Sequence, residues 1–355
     1  MPDLDALFES WNGEALVTEK DQATGAWIFI AIHSTRLGPA VGGTRMKPYL
    51  GPTAALHDAF RLSEGMTYKF AVPNLPFGGG KAVIAVPADI DPTDRPALLR
   101  RYGQMVGRLE GRFRTGPDVG TTPADMDIIS ETAGPNVFSR TTGAGGAGDP
   151  GPFTALGVLS GMEAACEHVF GDPTLAGRRI LVQGLGDVGG ALIDLLALAD
   201  ADVIFSEIDP DLVTLNRDKR GLEFIAPEGV LDAECDILAP CALGGVLNAE
   251  TITRLRCRIV AGSANNQLAA PSDADRLGAA GILYAPDYVI NVGGAMAIPG
   301  IESMGWTVQR ARDQVRSYVR RTLLTVFDKA ERSGSSTAAA AAVMAEQHLA
   351  GAGDS

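Results

Sequence analysis

From residue 179 to residue 189 the chain reads Arg-Ile-Leu-Val-Gln-Gly-Leu-Gly-Asp-Val-Gly. The first five residues have the apolar, branched character of a buried strand, and three glycines follow in the spacing Gly-x-Gly-x-x-Gly. Apolar residues then recur on one face of a helix at Leu192, Leu195, Leu196 and Ala199. A strand, a tight turn and a helix in this order predict a Rossmann unit that binds a dinucleotide.

The three glycines of this turn have separate physical roles. Gly184 makes the tight turn, Gly186 lets the backbone approach a pyrophosphate, and Gly189 allows the helix to pack closely on the strand. The helix begins at Asp187 and Val188, where free backbone N–H groups favour the phosphate charge. We therefore predict that this turn binds the phosphates of the cofactor.

A carboxylate stands where a ribose-binding acid is expected. The β-rich run Asp202–Ser206 leads into Glu207, which lies 18 residues after Gly189. Glu207 accepts hydrogen bonds from ribose hydroxyls but repels a 2′-phosphate, so the sequence favours NAD over NADP. A glycine-rich turn followed by a surface glutamate is the alternative interpretation.

Composition limits the class of protein. At 355 residues with 46% hydrophobic residues and 43 glycines, the chain predicts a two-domain α/β enzyme. A formal net charge of −13 argues against nucleic acid and anionic membranes as partners, which leaves small molecules. The N-terminal residues lack a basic, apolar signal peptide, and no apolar run could span a bilayer, so we expect a cytoplasmic protein. The four cysteines and four histidines form no metal-binding motif, and no metal is predicted.

Two lysines stand out in the first half of the chain. A helix predicted from Thr53 ends near Lys69, and Lys81 follows the run Gly78-Gly-Gly80. Two prolines and three glycines argue against a strand before residue 82, so the strand is expected to resume at Ala82. Lys81 would then lie where an apolar strand meets a glycine loop, and poor solvation should lower its pKa toward the range useful for proton transfer. Solvated flanking charges are the alternative for both lysines.

Asp118 follows a short predicted strand, Arg112–Thr115, in the run Gly116-Pro-Asp-Val. It is a candidate acid or base, with a turn aspartate as the alternative. A helix from Pro96 to Leu109 precedes it, with proline in its first turn. These features complete an alternation of strands and helices in the first half of the chain.

Polar, glycine-rich residues 139–152 predict a hinge between domains. We place a substrate-binding and oligomerisation domain at residues 1–145 and a Rossmann NAD-binding domain at 146–324. The helical, alanine-rich segment 325–349 is expected to pack back on the first domain.

Three loops follow the later predicted strands, which end at Ala239, Ala261 and Tyr284. Ligands in open α/β sheets bind at the carboxyl ends of the strands, so these loops should lie at one edge. They carry Asn265 and Asn291, whose amides could hold a carboxamide or a carboxylate; asparagines in turns are the alternative.

Taken in order, eight motifs resemble the glutamate/leucine/phenylalanine/valine dehydrogenase family over nearly the full chain. The resemblance implies a cleft between two domains and reversible oxidative deamination of an L-amino acid to its 2-oxo acid and ammonia. The matching stretches are Gly38–Arg45, Met66–Lys69, Gly78–Val83, Gly116–Val119, Gly184–Gly189, Ala239–Ala242, Ala261–Asn266 and Pro286–Asn291.

The resemblance also implies residue roles. Lys69 would pair with the substrate carboxylate, Lys81 would polarise water and the carbonyl, and Asp118 would shuttle protons. Backbone groups of Gly42 and Gly43 would lie near the carboxylate. Asn265 and Asn266 would orient the substrate, and the residues placed beside the cofactor are Thr154, Cys241, Ala242, Asn266 and Asn291.

The implied side-chain pocket is apolar and consists of Val41, Gly116, Ala295 and Ile298. It offers no cation to a γ-carboxylate, which disfavours glutamate. Gly116 resembles phenylalanine dehydrogenases, so we lean to L-phenylalanine; leucine or valine is the alternative, since a methylene discriminates by only about 1–3 kcal/mol. A catalytically silent NAD-binding protein would be expected to lack Lys69, Lys81 or Asp118. The family implies a homo-oligomer of unspecified size.

Overall fold

A computed structural model describes residues 4–242 and 244–352, without the side chains of residues 4–6. The chain forms two compact units. The first contains residues up to Asp149, the segment Ile301–Gly305 and the residues from Ala345 onward, and the second contains Pro150–Gly300 and Trp306–Met344. No helix among the described residues is long and apolar enough to cross a membrane.

The first unit is a sheet with helices on both faces. Its strand order is β1-β2-β4-β3-β5, with β3 parallel to β4 and β5, and β2 antiparallel to β1 and β4. The elements are α1 Leu4–Trp11, β1 Ala15–Lys20, β2 Trp27–Ser34, β3 Ala40–Lys47, α2 Pro52–Ala71, β4 Gly78–Ala85, α3 Arg95–Gly107, β5 Phe113–Pro117 and α4 Pro123–Ala133.

Alternation along the strands divides the side chains between the two faces of this sheet. Ala40, Ala82 and Phe113 lie in the core cluster that contains residues of α3 and α4. Phe29 and Val83 lie in the cluster that contains residues of α2. Every second residue from Val83 therefore faces α2, which puts Lys81 on that face.

The expected start of the strand at Ala82 is wrong, because β4 begins at Gly78 and includes the three glycines and Lys81. Tertiary contacts explain this difference. A Cβ atom on Gly78 would stand 2.0 Å from the carbonyl oxygen of Ser34, and one on Gly79 would stand 2.1 Å from the backbone nitrogen of Thr67. Glycine is required here because neighbouring backbone comes too close for a side chain, and the pairing of β2 with β4 shifts register opposite these glycines, between Ile32 and Ser34.

The second unit contains a parallel sheet in the order β11-β10-β9-β6-β7-β8. Counted from β6, this order is 6-5-4-1-2-3, the Rossmann arrangement, so the predicted fold class is confirmed. The last three strands end within one residue of the expected positions Ala239, Ala261 and Tyr284. The elements are α5 Gly151–Phe170, β6 Arg179–Gln183, α6 Asp187–Leu198, β7 Asp202–Ser206, α7 Pro210–Thr214, β8 Glu223–Phe224, β9 Ile237–Pro240, β10 Ile259–Val260, α8 Asp273–Ala279, β11 Leu283–Tyr284, α9 Asp287–Ile290 and α10 Gly293–Met304.

Two further helices complete the chain, α11 Val308–Ser333 and α12 Thr337–Gly351. Gly334, at a φ of 66°, ends α11 in the left-handed conformation that glycine favours. The segment 325–349 is thus divided between two helices, and its residues up to Met344, the alanine run included, belong to the second unit. The roles assigned to the two domains remain predictions.

Candidate active site

Three strands of the first unit align the predicted residues on the α2 face of the sheet. Gly43 pairs with Gly116 of β5. Thr44 pairs with Ala82, so the same register sets Gly43 beside Lys81, one position earlier in each strand. Lys81, Gly43 and Gly116 therefore form a row across the sheet, with two glycines as its floor. Asp118 follows directly after the end of β5, as predicted.

The centre of this face is a buried ion pair between Lys81 and Asp118. Lys81 Nζ lies 3.1 Å from Asp118 Oδ2, and the lysine is only 5% exposed. Burial lowers the pKa of Lys81 despite the adjacent carboxylate, as the sequence analysis expected. Burial alone would raise the pKa of Asp118, but the cations of Lys81 and Arg45 outweigh it and hold that pKa well below its usual range. The pair therefore combines an ionised carboxylate with an amine that loses its proton more readily than usual.

Sequence analysis missed Arg45 and Asp58. Arg45 Nε donates to Asp118 Oδ2 at 2.8 Å, and its Nη1 donates to Asp58 Oδ2 at 3.0 Å. Tyr49 donates its hydroxyl hydrogen to the same Asp58 oxygen at 2.7 Å, and Arg61 donates to the other oxygen. The matching motif Gly38–Arg45 contained the signal for Arg45, but nothing in the sequence paired it with an aspartate 73 residues away.

A buried hydroxyl network lies on the opposite face, below the glycine floor. Thr44 Oγ1 lies 2.7 Å from both the Tyr102 hydroxyl and Thr115 Oγ1, and burial raises the pKa of Tyr102 to about 12. Thr121 Oγ1 donates to the Thr44 carbonyl and accepts the backbone N–H of Asp118. Thr121 therefore ties the loop that carries Asp118 to the backbone of β3.

The glycines at 42 and 43 have no room for side chains. A Cβ on Gly42 would stand 1.7 Å from the Gly80 carbonyl oxygen, and a Cβ on Gly43 would stand 2.6 Å from the Pro117 carbonyl oxygen. Lys69 lies in the last turn of α2 and is partly buried. This helix packs directly on Gly79 of β4 through Thr67, two residues before Lys69.

The predicted side-chain pocket of the first unit has more room. A Cβ on Gly116 would make ordinary contacts of 3.7–3.8 Å with Phe138, so packing does not require glycine there. Val41 is buried and pairs with Arg114, two residues before Gly116 on the same face. The Arg114 guanidinium lies 6.0 Å from the Phe138 ring centroid, and its buried Nε has no hydrogen-bond partner among the described residues. Arg114 therefore places a cation beside the predicted apolar pocket, at a position that the predicted pocket residues did not include.

The glycine turn of the second unit has the predicted geometry. Gly184 has a φ of 91°, and a Cβ there would stand 2.6 Å from Ala242 Cβ. A Cβ on Gly189 would stand 1.9 Å from the Gly184 carbonyl oxygen, so the helix approaches the turn closely. By contrast, apart from its own chain neighbours no atom of the described residues lies within 4 Å of a Cβ on Gly186, although this residue caps α6. Protein packing leaves Gly186 unexplained, whereas a pyrophosphate above the turn would require it.

Glu207 directly follows β7 and is bonded to the glycine turn. Its Oε2 accepts the backbone N–H of Leu185 at 2.6 Å, and its Oε1 accepts those of Ile208 and Asp209. The carboxylate is thus fixed at the carboxyl end of β7 by three backbone donors. This location fits a ribose-binding acid.

The loops after β10 and β11 come together through their amides. Asn291 Nδ2 donates to Asn265 Oδ1 at 2.9 Å and to the Ser263 carbonyl at 3.0 Å. The buried Oδ1 of Asn291 has no partner among the described residues. An orphaned acceptor of this kind fits the amide hydrogens of a nicotinamide carboxamide. Asn266 is held differently, because its backbone N–H donates to the Asp287 carboxylate at a φ of 53°.

The remaining predicted residues of the second unit lie around α10 and β9. Thr154 Oγ1 accepts the backbone N–H of Gly294 at 3.1 Å, which connects α5 to the start of α10. On α10, Ala295 is half-buried and Ile298 is buried, so Ile298 lies in the packed interior. Cys241 follows β9, and burial raises the pKa of its thiol.

Comparison with known proteins extends over most of the chain. Residues 16–134 match the family model "Glu/Leu/Phe/Val dehydrogenase, dimerisation domain", and residues 207–354 match "Glutamate/Leucine/Phenylalanine/Valine dehydrogenase". The chain is 42% identical to leucine dehydrogenase of Thermoactinomyces intermedius over 341 residues, which cover 96% of this chain and 92% of that protein.

Two further relatives act on different amino acids. The chain is 41% identical to valine dehydrogenase of Streptomyces coelicolor, over 98% of this chain and 95% of that protein. The crystal structure of L-tryptophan dehydrogenase from Nostoc punctiforme is similar at a TM-score of 0.81 and 39% identity, covering 99% of this chain and 100% of that one.

Proposed function

We propose that this chain uses NAD to deaminate a hydrophobic L-amino acid oxidatively and reversibly. The premise is that the chain belongs to the glutamate/leucine/phenylalanine/valine dehydrogenase family of pyridine-nucleotide enzymes. The observation that carries this proposal is the buried pair of Lys81 and Asp118 at 3.1 Å. A lysine with a lowered pKa beside a fixed carboxylate is suited to proton transfer. Burial of the two charges costs desolvation free energy, and a catalytically silent NAD-binding protein would not need such a pair.

In the proposed mechanism the amino acid carboxylate binds Lys69 and backbone groups of Gly42 and Gly43. When bound, NAD would accept the hydride from the α-carbon of the neutral amine, which leaves the substrate as a protonated imine. Neutral Lys81 removes a proton from the water that attacks the imine carbon, and Asp118 relays this proton to the amino nitrogen. Lys81 then accepts the hydroxyl proton as the carbonyl forms and ammonia leaves. The cationic face also stabilises the oxygen charge that develops during these steps.

The second unit is proposed to hold NAD. The turn from Gly184 to Gly189, with Asp187 and Val188 at the helix start, would bind the pyrophosphate, and Glu207 would accept the ribose hydroxyls. The nicotinamide end is assigned to Thr154, Cys241, Ala242, Asn266 and Asn291, with Asn265 and Asn266 also directed to the substrate. The open space at Gly186 and the orphaned Oδ1 of Asn291 support this assignment.

Two substrate classes remain within the proposal. The room at Gly116 favours an aromatic side chain, L-phenylalanine first, with Val41, Ala295 and Ile298 as further apolar contacts. Leucine or valine is the second candidate, because leucine and valine dehydrogenases are relatives at 41–42% identity over nearly the whole chain.

The experiment that tests this function is NADH formation at alkaline pH with separate L-phenylalanine, L-tryptophan, L-leucine, L-valine and L-glutamate, ranked by kcat/KM. We expect a hydrophobic amino acid to lead and glutamate to be poor, because the relatives include leucine, valine and tryptophan dehydrogenases. Glutamate in the lead would instead assign Arg114 to its γ-carboxylate. Phenylalanine ahead of leucine and valine supports the aromatic preference, and the reverse order assigns a branched-chain substrate. No reaction with any of them would contradict the proposed activity.

Gly116→Ala is expected to change the substrate ranking without unfolding the protein. The added methyl contacts Phe138 at an ordinary distance but narrows the pocket, so kcat/KM for phenylalanine relative to valine should fall about tenfold. Gly65→Ala is the matched control, because a Cβ there meets no atom within 4 Å. An unchanged ratio in the Gly116 variant would remove this residue from the pocket.

Glu207→Ala is expected to lower the preference for NAD over NADP about tenfold or more. The carboxylate repels a 2′-phosphate by on the order of 1–4 kcal/mol at a distance of a few ångströms, and the variant lacks this charge. Binding of NAD should also weaken, because the Leu185 N–H in the glycine turn loses its acceptor. Cofactor titration of the wild type and of Glu234→Ala, whose side chain is 85% exposed before β9, gives the comparison. Equal cofactor affinities in all three proteins would discard the ribose assignment.

Association into a homo-oligomer is also proposed, since residues 16–134 match a dimerisation domain. Light scattering during gel filtration would measure the mass, and a monomer at micromolar concentration would contradict this expectation.

A further inference from the structure

One oxygen of Asp118 is shared between two cations. Oδ2 lies 3.1 Å from Lys81 Nζ and accepts the Arg45 Nε hydrogen at 2.8 Å. Arg45 is itself mostly buried, with a side chain 12% exposed, and its other end is bonded to Asp58. Opposite charges therefore alternate along a chain from Lys81 through Asp118 and Arg45 to Asp58.

We propose that Arg45, anchored by Asp58, is a positioning residue that orients Asp118 and offsets its charge, so that Lys81 can release and regain a proton during turnover. This inference rests on the proposed deamination, in which Lys81 acts as the base. It adds to the lysine and aspartate a third side chain that acts through Asp118 and not on the substrate.

Electrostatics explains why such a residue is needed. A buried lysine beside a lone carboxylate keeps its proton, because the carboxylate stabilises the ammonium form. Arg45 occupies the same carboxylate oxygen from the other side and places a second positive charge close to Lys81. Both effects favour the neutral amine. The planar guanidinium also joins Asp118 and Asp58 at once, through Nε and Nη1, which the point charge of a lysine does not reproduce.

Arg45 and Asp58 should act on Lys81 in opposite directions. Arg45 lowers the pKa of Lys81 and Asp58 raises it, with burial as the largest influence. The network also includes Tyr49 and Arg61, both bonded to Asp58. Several charged or titratable groups lie on the α2 face around Lys81. They are His33 of β2, Arg45 of β3 and Tyr49 after it, Arg114 of β5, Asp118 after β5, and Asp58, Arg61 and Lys69 of α2.

The test compares the pH dependence of kcat/KM in the wild type, Arg45→Gln, Arg45→Lys and Asp58→Asn, with Arg100→Gln as a control on the exposed pair with Glu131. In a plot of kcat/KM against pH, removal of the Arg45 charge should shift the rising limb to a higher pH by about one pH unit. Asp58→Asn should move this limb downward. Arg45→Lys keeps the charge, so its limb should stay near that of the wild type while kcat falls about tenfold.

A second readout does not depend on turnover. The rate at which an amine-reactive acylating reagent labels Lys81 in substrate-free protein, measured by mass spectrometry against pH, should shift in the same directions. The inference would be overturned if the labelling profile shifted in the same direction in Arg45→Gln and Asp58→Asn, or in neither variant. Arg45 would then have only a structural role. If Arg45→Gln does not fold, the downward shift in Asp58→Asn decides. Wild-type protein without amino acid dehydrogenase activity would instead contradict the proposed function, while the labelling profiles would still test the network.

Discussion

Lys81→Ala is expected to lower kcat about 10³-fold, within the range by which general acid–base groups accelerate reactions, while NAD binding is retained. The change removes the amine that is proposed to activate water, and it leaves Arg45 bonded to Asp118. The methyl side chain leaves a cavity on the α2 face, so circular dichroism and thermal unfolding must accompany the kinetics.

Steady-state kinetics with the preferred amino acid and a separate NAD titration measure this effect. Lys20→Ala, at the exposed end of β1, is the matched control and should behave as the wild type. Turnover within a few-fold of normal in a folded Lys81→Ala protein would remove this lysine from the chemistry.

Lys69→Ala is expected to raise KM for the amino acid and to lower kcat/KM about tenfold to hundredfold. A hydrogen bond between an ammonium and a carboxylate contributes about 1.5–3 kcal/mol, and the substrate carboxylate would lose this partner. If the interaction is equally strong in the ground state and the transition state, kcat changes little.

The contrast between the two lysines is the informative part of this measurement. A loss mainly in kcat for Lys81 and mainly in KM for Lys69 separates proton transfer from carboxylate binding. An unchanged KM in Lys69→Ala would contradict the carboxylate role. Phenylpyruvate or another 2-oxo acid in the reverse direction should show the same pattern, because it carries the same carboxylate.

Local sequence patterns sufficed to predict the Rossmann unit. The strand, the glycine spacing and the apolar helix face of residues 179–199 are all close in sequence, and the structure confirms their order and the turn at Gly184. Glu207 was found by its distance from the turn, and its position after β7 is as predicted. These features depend on backbone conformation and periodicity, which neighbouring residues determine.

Long-range contacts account for what sequence analysis missed or assigned wrongly. The run Gly78-Gly-Gly80 was interpreted as a loop, because glycine has a low strand propensity when considered alone. In the fold these glycines lie within a strand, since Ser34 and Thr67 occupy the space of their side chains. Arg45 and Asp58 were missed for the same reason: their partnership exists only once β3, α2 and the loop after β5 are packed together.

The glycines of β3, β4 and β5 limit which positions of this enzyme can change in evolution or in redesign. A methyl group at Gly42, Gly43 or Gly79 would collide with backbone atoms of a neighbouring segment. These positions therefore cannot accept a larger residue. At Gly116, in the same row as Gly43 and Lys81, a methyl group is accommodated. Because Gly116 is part of the proposed side-chain pocket, a substitution there is expected to change substrate preference without disturbing Lys81 and Asp118. A mutant library restricted to that position should retain folded, active members with altered selectivity.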